Sequence, residues 1–183
     1  TSPRAGDNLR ELLEALLAAA LNDGVIEDAV IAESQSQSEA LWRIREFIPE
    51  AQKSEGGSVK HDISVPVSKV PEFIHRASEG VAAMLPGTRV VAFGHVGDGN
   101  IHFNLSQPVG ADTDAFLARW DDFNRFVFDI TYEMGGSFSA EHGIGRLKRQ
   151  HLGHYKSAVE VELMRRVKMA LDPDDIMNPG KLV

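Results

Sequence analysis

Cysteine is absent from the 183 residues. Without a thiol the chain holds no disulfide, no thiolate zinc or iron–sulfur centre and no cysteine nucleophile, so any metal must take His and carboxylate ligands. Basic charge is also short: 19 Lys and Arg against 27 Asp and Glu give a formal net charge of -8. A field of that sign repels phosphate backbones, and no nucleic acid partner is expected. No apolar run approaches the roughly 20 residues of a membrane-spanning helix, and the N-terminus lacks the basic-then-apolar layout of a signal peptide. The expectation is a cytoplasmic globular protein with no transmembrane segment. Repeats, low-complexity tracts and linkers are missing too, which favours one domain over 1–183. The chain opens at Thr1 rather than Met, which suits a processed chain or an excised piece of a longer one.

What is present reads as helices mixed with strands. Asp7 can cap a helix whose apolar positions Leu9, Leu12, Leu13, Leu16, Leu17 and Leu21 follow helical spacing, with Gly24 ending it. Val25 to Glu33 reads as a strand. Ser36 and Glu39 have capping-box spacing for a helix that lasts until Pro49. EGGS is a turn, His61 to Val67 alternates as a strand, and a helix follows near Pro71 to Leu85. Two strands flank Asp98-Gly99, a long helix runs from about Thr113 to Met134, a short strand covers Ser137 to Ala140, and Ser157 with Glu160 caps a last helix. Trp42 and Trp120 read as core anchors. The pattern predicts an α+β fold, an antiparallel sheet with helices packed on one face.

The segment Val90 to Ser106, VVAFGHVGDGNIHFNLS, carries the chemistry. With Asp98 and Gly99 as a two-residue hairpin turn, Gly97 faces Asn100, Val96 faces Ile101, and His95 falls opposite His102 with Cβ atoms about 5 Å apart. Asn104 joins that face, while Ala92, Val96, Ile101, Phe103 and Leu105 point to the other. Two opposed imidazoles can hold one divalent cation, zinc first, with iron, manganese or nickel as alternatives. Glu141, ending SFSAE, is the candidate third ligand, completing a two-His-one-carboxylate set with open positions. His142, beside it on a glycine-flanked turn, suits a general base. Arg45, Lys60 and Arg146 are candidate anchors for an anionic substrate. His61, His75, His151 and His154 have no partner spacing and read as structural.

KHDISVP (60–66), GHVGDGNIHFN (94–104), SAEHGIG (139–145) and DPDDIMNPGKL (172–182) together resemble the C-terminal half of FAD-linked 2-hydroxyacid dehydrogenases. That group includes D-lactate dehydrogenases, D-2-hydroxyglutarate dehydrogenases and the glycolate oxidase catalytic subunit, within the vanillyl-alcohol-oxidase superfamily. The resemblance covers nearly the whole chain and implies a ferredoxin-like cap domain that supplies a substrate and metal site, with FAD bound mainly by an N-terminal domain absent here. The first strand of the cap is also expected to be missing. By motif, it implies His95, His102 and Glu141 as metal ligands and His142 as the base. It also implies Arg45, Lys60 and Asn104 as substrate residues. Pro49 stands where the 2-hydroxyglutarate branch has a substrate-binding Thr, so lactate, glycolate and 2-hydroxyglutarate-like acids are all carried forward as substrates. The implied reaction takes the 2-hydroxyacid to the 2-oxoacid with hydride to FAD, and a fragment without flavin is expected to bind but not turn over. The expected partners are the small 2-hydroxyacid and a second copy of the chain in a homodimer; no residue indicates the electron acceptor. Two other classes compete: a metal-dependent hydrolase, active without flavin, and a plain binding or oligomerisation module with incidental histidines.

Overall fold

The computed structural model describes residues 8–95 and 97–183. The chain divides into two compact units, Thr1–Ile48 and Pro49–Val183.

The first unit holds α1 (Leu9–Asn22) and α2 (Gln35–Glu46). Asn8 caps α1 by accepting from the Glu11 N–H; Asp7, expected to do so, lies outside the described residues. Gly24, at φ +67°, follows the end of α1. Val25 to Glu33 is not a strand. Its polar groups are met locally, the Ala29 N–H by Asp28 and the Glu33 N–H by Gln37. Among the described residues nothing pairs with it as a ladder would require. The cap of α2 is Ser34, whose Oγ accepts from the Gln37 N–H, two residues ahead of the expected Ser36. Trp42 is 60% exposed rather than a core anchor, because it lies on a helix with no buried residue.

α3 (Ile48–Ala51) and a 3₁₀ turn over Gln52–Glu55 lead into the second unit. There follow β1 (Ser58–Ser64), α4 (Val70–Met84), β2 (Arg89–His95), β3 (Asn100–Ser106), α5 (Thr113–Leu117), α6 (Trp120–Glu133), α7 (Arg149–Tyr155) and α8 (Ala158–Leu171). The sheet is antiparallel in the order β1-β3-β2, and α4 and α6 cover one face of it. Strand alternation sends Val59 and Ile63 of β1 and Ile101, Phe103 and Leu105 of β3 into that core, against Phe73 and Val81 of α4 and Phe123 and Val127 of α6. These side chains are essentially unexposed, and each contributes about 1.5–3 kcal/mol of apolar transfer. This is the expected α+β layout. No described helix is long and apolar enough to cross a membrane.

Two expectations need correction here. The helix from Thr113 to Met134 is two helices, α5 and α6, broken at Ala118 and Arg119. The Arg119 guanidinium reaches the Met84 carbonyl at 2.7 Å and lies over the Phe123 ring, and the Arg119 backbone stands outside the helical region. The strand Ser137–Ala140 is a single bridge, Ser64 to Ser137. Beyond it the chain turns inward at the buried Phe138. Between that bridge and the last helix, where the sequence reading places no element, α7 buries His151, Leu152 and Tyr155. The Ser157–Glu160 capping box is present in full.

His61 lies on the core face of β1, 1% exposed, with Nδ1 2.7 Å from the Phe103 carbonyl oxygen. Burial pushes its pKa down to about 4; the charge of Lys148 adds to the shift, and the Phe103 hydrogen bond opposes it. The folded protein thus binds fewer protons than the unfolded chain between about pH 6.5 and 4, so stability is full above that window and falls as pH drops through it. His151, also lowered chiefly by burial, acts in the same direction. Urea unfolding at pH 7 and pH 4.5 is expected to differ by up to roughly 3 kcal/mol from His61. A His61→Leu variant should lose most of that difference; if it keeps the wild-type pH dependence, His61 is not the group responsible.

Candidate metal and substrate site

The other face of the sheet presents its residues in rows. Register aligns Ser64, Asn100 and His95 in one row, Asp62, His102 and Phe93 in the next, and Lys60, Asn104 and Val91 in a third. Successive rows are about 7 Å apart, two residues along a strand. The hairpin is longer than its Asp98-Gly99 signal suggests. His95 pairs with Asn100, not His102, and His102 pairs with Phe93. The Asp98 and Gly99 N–H groups both donate back to the His95 carbonyl, and the Gly99 carbonyl accepts from the Val65 N–H, so the loop closes one pair earlier. Gly99 has φ +77°, and a Cβ there would meet the Val65 oxygen at 2.0 Å, so only glycine fits. A slip of two residues keeps every side chain on its expected face, leaving His95 and His102 as diagonal neighbours. Val96, expected opposite Ile101, lies outside the described residues.

The loop after Ser137 crosses this face and brings Glu141 to both imidazoles. Glu141 Oε1 is 3.0 Å from His95 Nδ1, and Oε2 is 3.5 Å from His102 Nε2. His142 has its ring 5.6 Å from that of His102, and its Nδ1 is 3.8 Å from Asp62 Oδ2. Adjacent residues share one side because the backbone turns there, with Gly143 and Gly145 at positive φ. Lys60 is exposed. Asn104 is buried and donates to Gln52 Oε1 at 2.8 Å, and Gln52 in turn donates to Ser106. Arg45 is half-buried on α2 of the first unit, and Arg146 is exposed.

Sequence reasoning missed Asp62 and Lys148. Asp62 is 2% exposed. Its Oδ2 accepts the Glu141 and His142 N–H groups at 2.7 and 2.8 Å, and its Oδ1 accepts from Asn100 Nδ2 at 2.9 Å. Burial alone would raise its pKa, but those donors outweigh burial and hold the carboxyl below the usual carboxylate range. Lys148 donates to the Phe138 and Asp62 carbonyls and to Ser139 Oγ, which pins the loop to the sheet; burial lowers its pKa against the pull of Asp62. The signal for Asp62 was available: alternation within KHDIS puts it on the same face as Lys60.

Two donor sets share His102. His95, His102 and Glu141 have nitrogen–oxygen separations of 3.0 and 3.5 Å. Two ligands on one tetrahedral zinc, each bonded at about 2.0–2.2 Å, stand about 3.3–3.5 Å apart, near each of these two contacts, which run to different Glu141 oxygens. Asp62, His102 and His142 form the group whose donor atoms all lie within 4.8 Å of one another. In that set, however, the carboxylate is already engaged by three N–H donors, which surround it with positive partial charge. Glu141 is exposed and offers its oxygens toward the imidazoles.

The α+β domain thus carries, on one face of its sheet, a two-His-one-carboxylate cluster beside a Lys–Asn pair. The chain belongs to the family of FAD linked oxidases, C-terminal domain, which it matches over residues 1–182. It is 41% identical over 162 residues to the D-2-hydroxyglutarate dehydrogenase of Stutzerimonas stutzeri, covering 88% of this chain and 35% of that protein. It is 38% identical over 179 residues to the enzyme of that name from Xanthomonas citri, covering 97% of this chain and 38% of the relative. To the mitochondrial one of Rattus norvegicus it is 36% identical over 183 residues, covering 99% and 32%. The chain thus spans about a third of the length of these curated relatives. The hydrolase alternative falls with the family, whose members are linked to FAD.

Proposed function

We propose that this chain is the substrate- and metal-binding part of an FAD-dependent D-2-hydroxyacid dehydrogenase, acting on a D-2-hydroxyglutarate-like acid. The observation that carries the reading is Glu141 meeting both His95 and His102, with His102 one row from Lys60 and Asn104. The relatives' names support the substrate class.

Bound at His95, His102 and Glu141, a divalent ion, zinc first, would supply Lewis-acid stabilisation at the 2-hydroxyl, and FAD would accept the hydride. The chain's own groups do the rest. The Lys60 ammonium orients the substrate carboxylate, and Asn104 on the same row holds the hydroxyl end. His142 takes the hydroxyl proton on its ring nitrogen as the α-hydrogen departs. The part assigned to Arg45 rests on its motif alone.

Anaerobic mixing of the intact, FAD-loaded protein with D-2-hydroxyglutarate, D-lactate and glycolate tests this directly. Bleaching of the flavin's visible absorbance is expected with D-2-hydroxyglutarate, and slower bleaching after chelator treatment. If none of the three acids reduces the flavin, the assignment is wrong.

A further inference from the structure

One buried carboxylate on the site face has no part in the chemistry above, and it meets Glu141, His142 and His102. Asp62 Oδ2 holds the backbone N–H groups of Glu141 and His142. Its Oδ1 is 3.9 Å from His102 Nδ1, while the opposite ring nitrogen, Nε2, faces Glu141. Glu141 and His142 sit in an exposed segment outside any helix or strand, flanked by Gly143 and Gly145, so local sequence does not fix their direction. A carboxylate mounted on β1, paired along its length with β3, does. The two hydrogen bonds are short and charge-assisted, the kind that orders a loop.

We propose that Asp62 is a positioning residue, which fixes the backbone of Glu141–His142 so that the Glu141 carboxylate converges on His95 and His102. Asp62 would then act through Glu141 and would not itself hold the ion. This rests on the proposed metal site of His95, His102 and Glu141.

The shape-conserving variant Asp62→Asn keeps the Oδ1 acceptor but puts an N–H donor where an acceptor is needed, so at least one anchoring bond is lost. In the intact protein, stripped of metal and titrated with zinc against a chromogenic chelator, Asp62→Asn should bind about 10- to 100-fold more weakly than wild type. In a Glu141→Gln background the same change should cost less than about 3-fold, because its route to the metal is already cut.

Three results separate the possibilities. Near-wild-type zinc affinity in Asp62→Asn, with wild type binding normally, overturns the positioning role and leaves the metal reading standing. An equal loss in both backgrounds also overturns it, since Asp62 then acts as a ligand or through general stability. Failure of wild type to bind zinc removes the metal reading and this inference with it. Should Asp62→Asn not fold, hydrogen exchange in the wild type decides: the Glu141 and His142 amides should exchange markedly more slowly than those of Gly143 and Gly145, and equal rates contradict the proposal.

Discussion

Replacing Glu141 by Ala is expected to remove the metal and abolish hydroxyacid-dependent flavin reduction together. Among the described residues Glu141 is the carboxylate that meets both imidazoles, at 3.0 Å from His95 and 3.5 Å from His102. Without it two histidines remain as diagonal neighbours on β2 and β3, and two ligands do not make a closed site. The loss of affinity should exceed the roughly 100-fold upper limit for removing a supporting hydrogen bond around a metal. Elemental analysis and flavin reduction on the same preparation check it. A Glu141→Ala protein that keeps its metal, or loses metal yet turns over normally, contradicts the ligand assignment.

His142→Ala should behave differently although it is the next residue. Its ring lies against that of His102 and is 66% exposed, open to a substrate approaching the face. If it receives the hydroxyl proton, its removal lowers kcat and kcat/KM together by about 10²- to 10⁴-fold, because the interaction is made in the transition state. Metal content should stay near normal. Loss of the ion in this variant would favour the alternative donor set of Asp62, His102 and His142. Near-normal turnover with an unchanged pH profile would remove His142 as the base.

The sequence shows the two sides of the sheet more clearly than its edges. His95, His102 and Asn104 stand on the expected face even though the hairpin closes at His95–Asn100, because a two-residue slip preserves strand alternation. Glu141 and His142 were legible as neighbours on a glycine-flanked turn, and the turn does swing both to one side. Asp62 was not legible as their anchor. Its role depends on β1 pairing with β3 and on a backbone contact across 79 residues, and no local periodicity encodes a pairing between distant strands. Val25 to Glu33 fails for the opposite reason: its composition suits a strand, but a strand exists only with a partner to accept its hydrogen bonds. Trp42 misleads because aromatic bulk signals burial only where something packs against it.

The most direct test of the site is a zinc titration of the intact, chelator-stripped protein beside its His102→Ala variant, read by calorimetry. His102 belongs to both candidate donor sets, so the answer does not depend on choosing between them. One zinc per chain in wild type, with affinity lost in His102→Ala, is the predicted result. Equal, weak binding by both proteins would contradict a metal site on this face of the sheet.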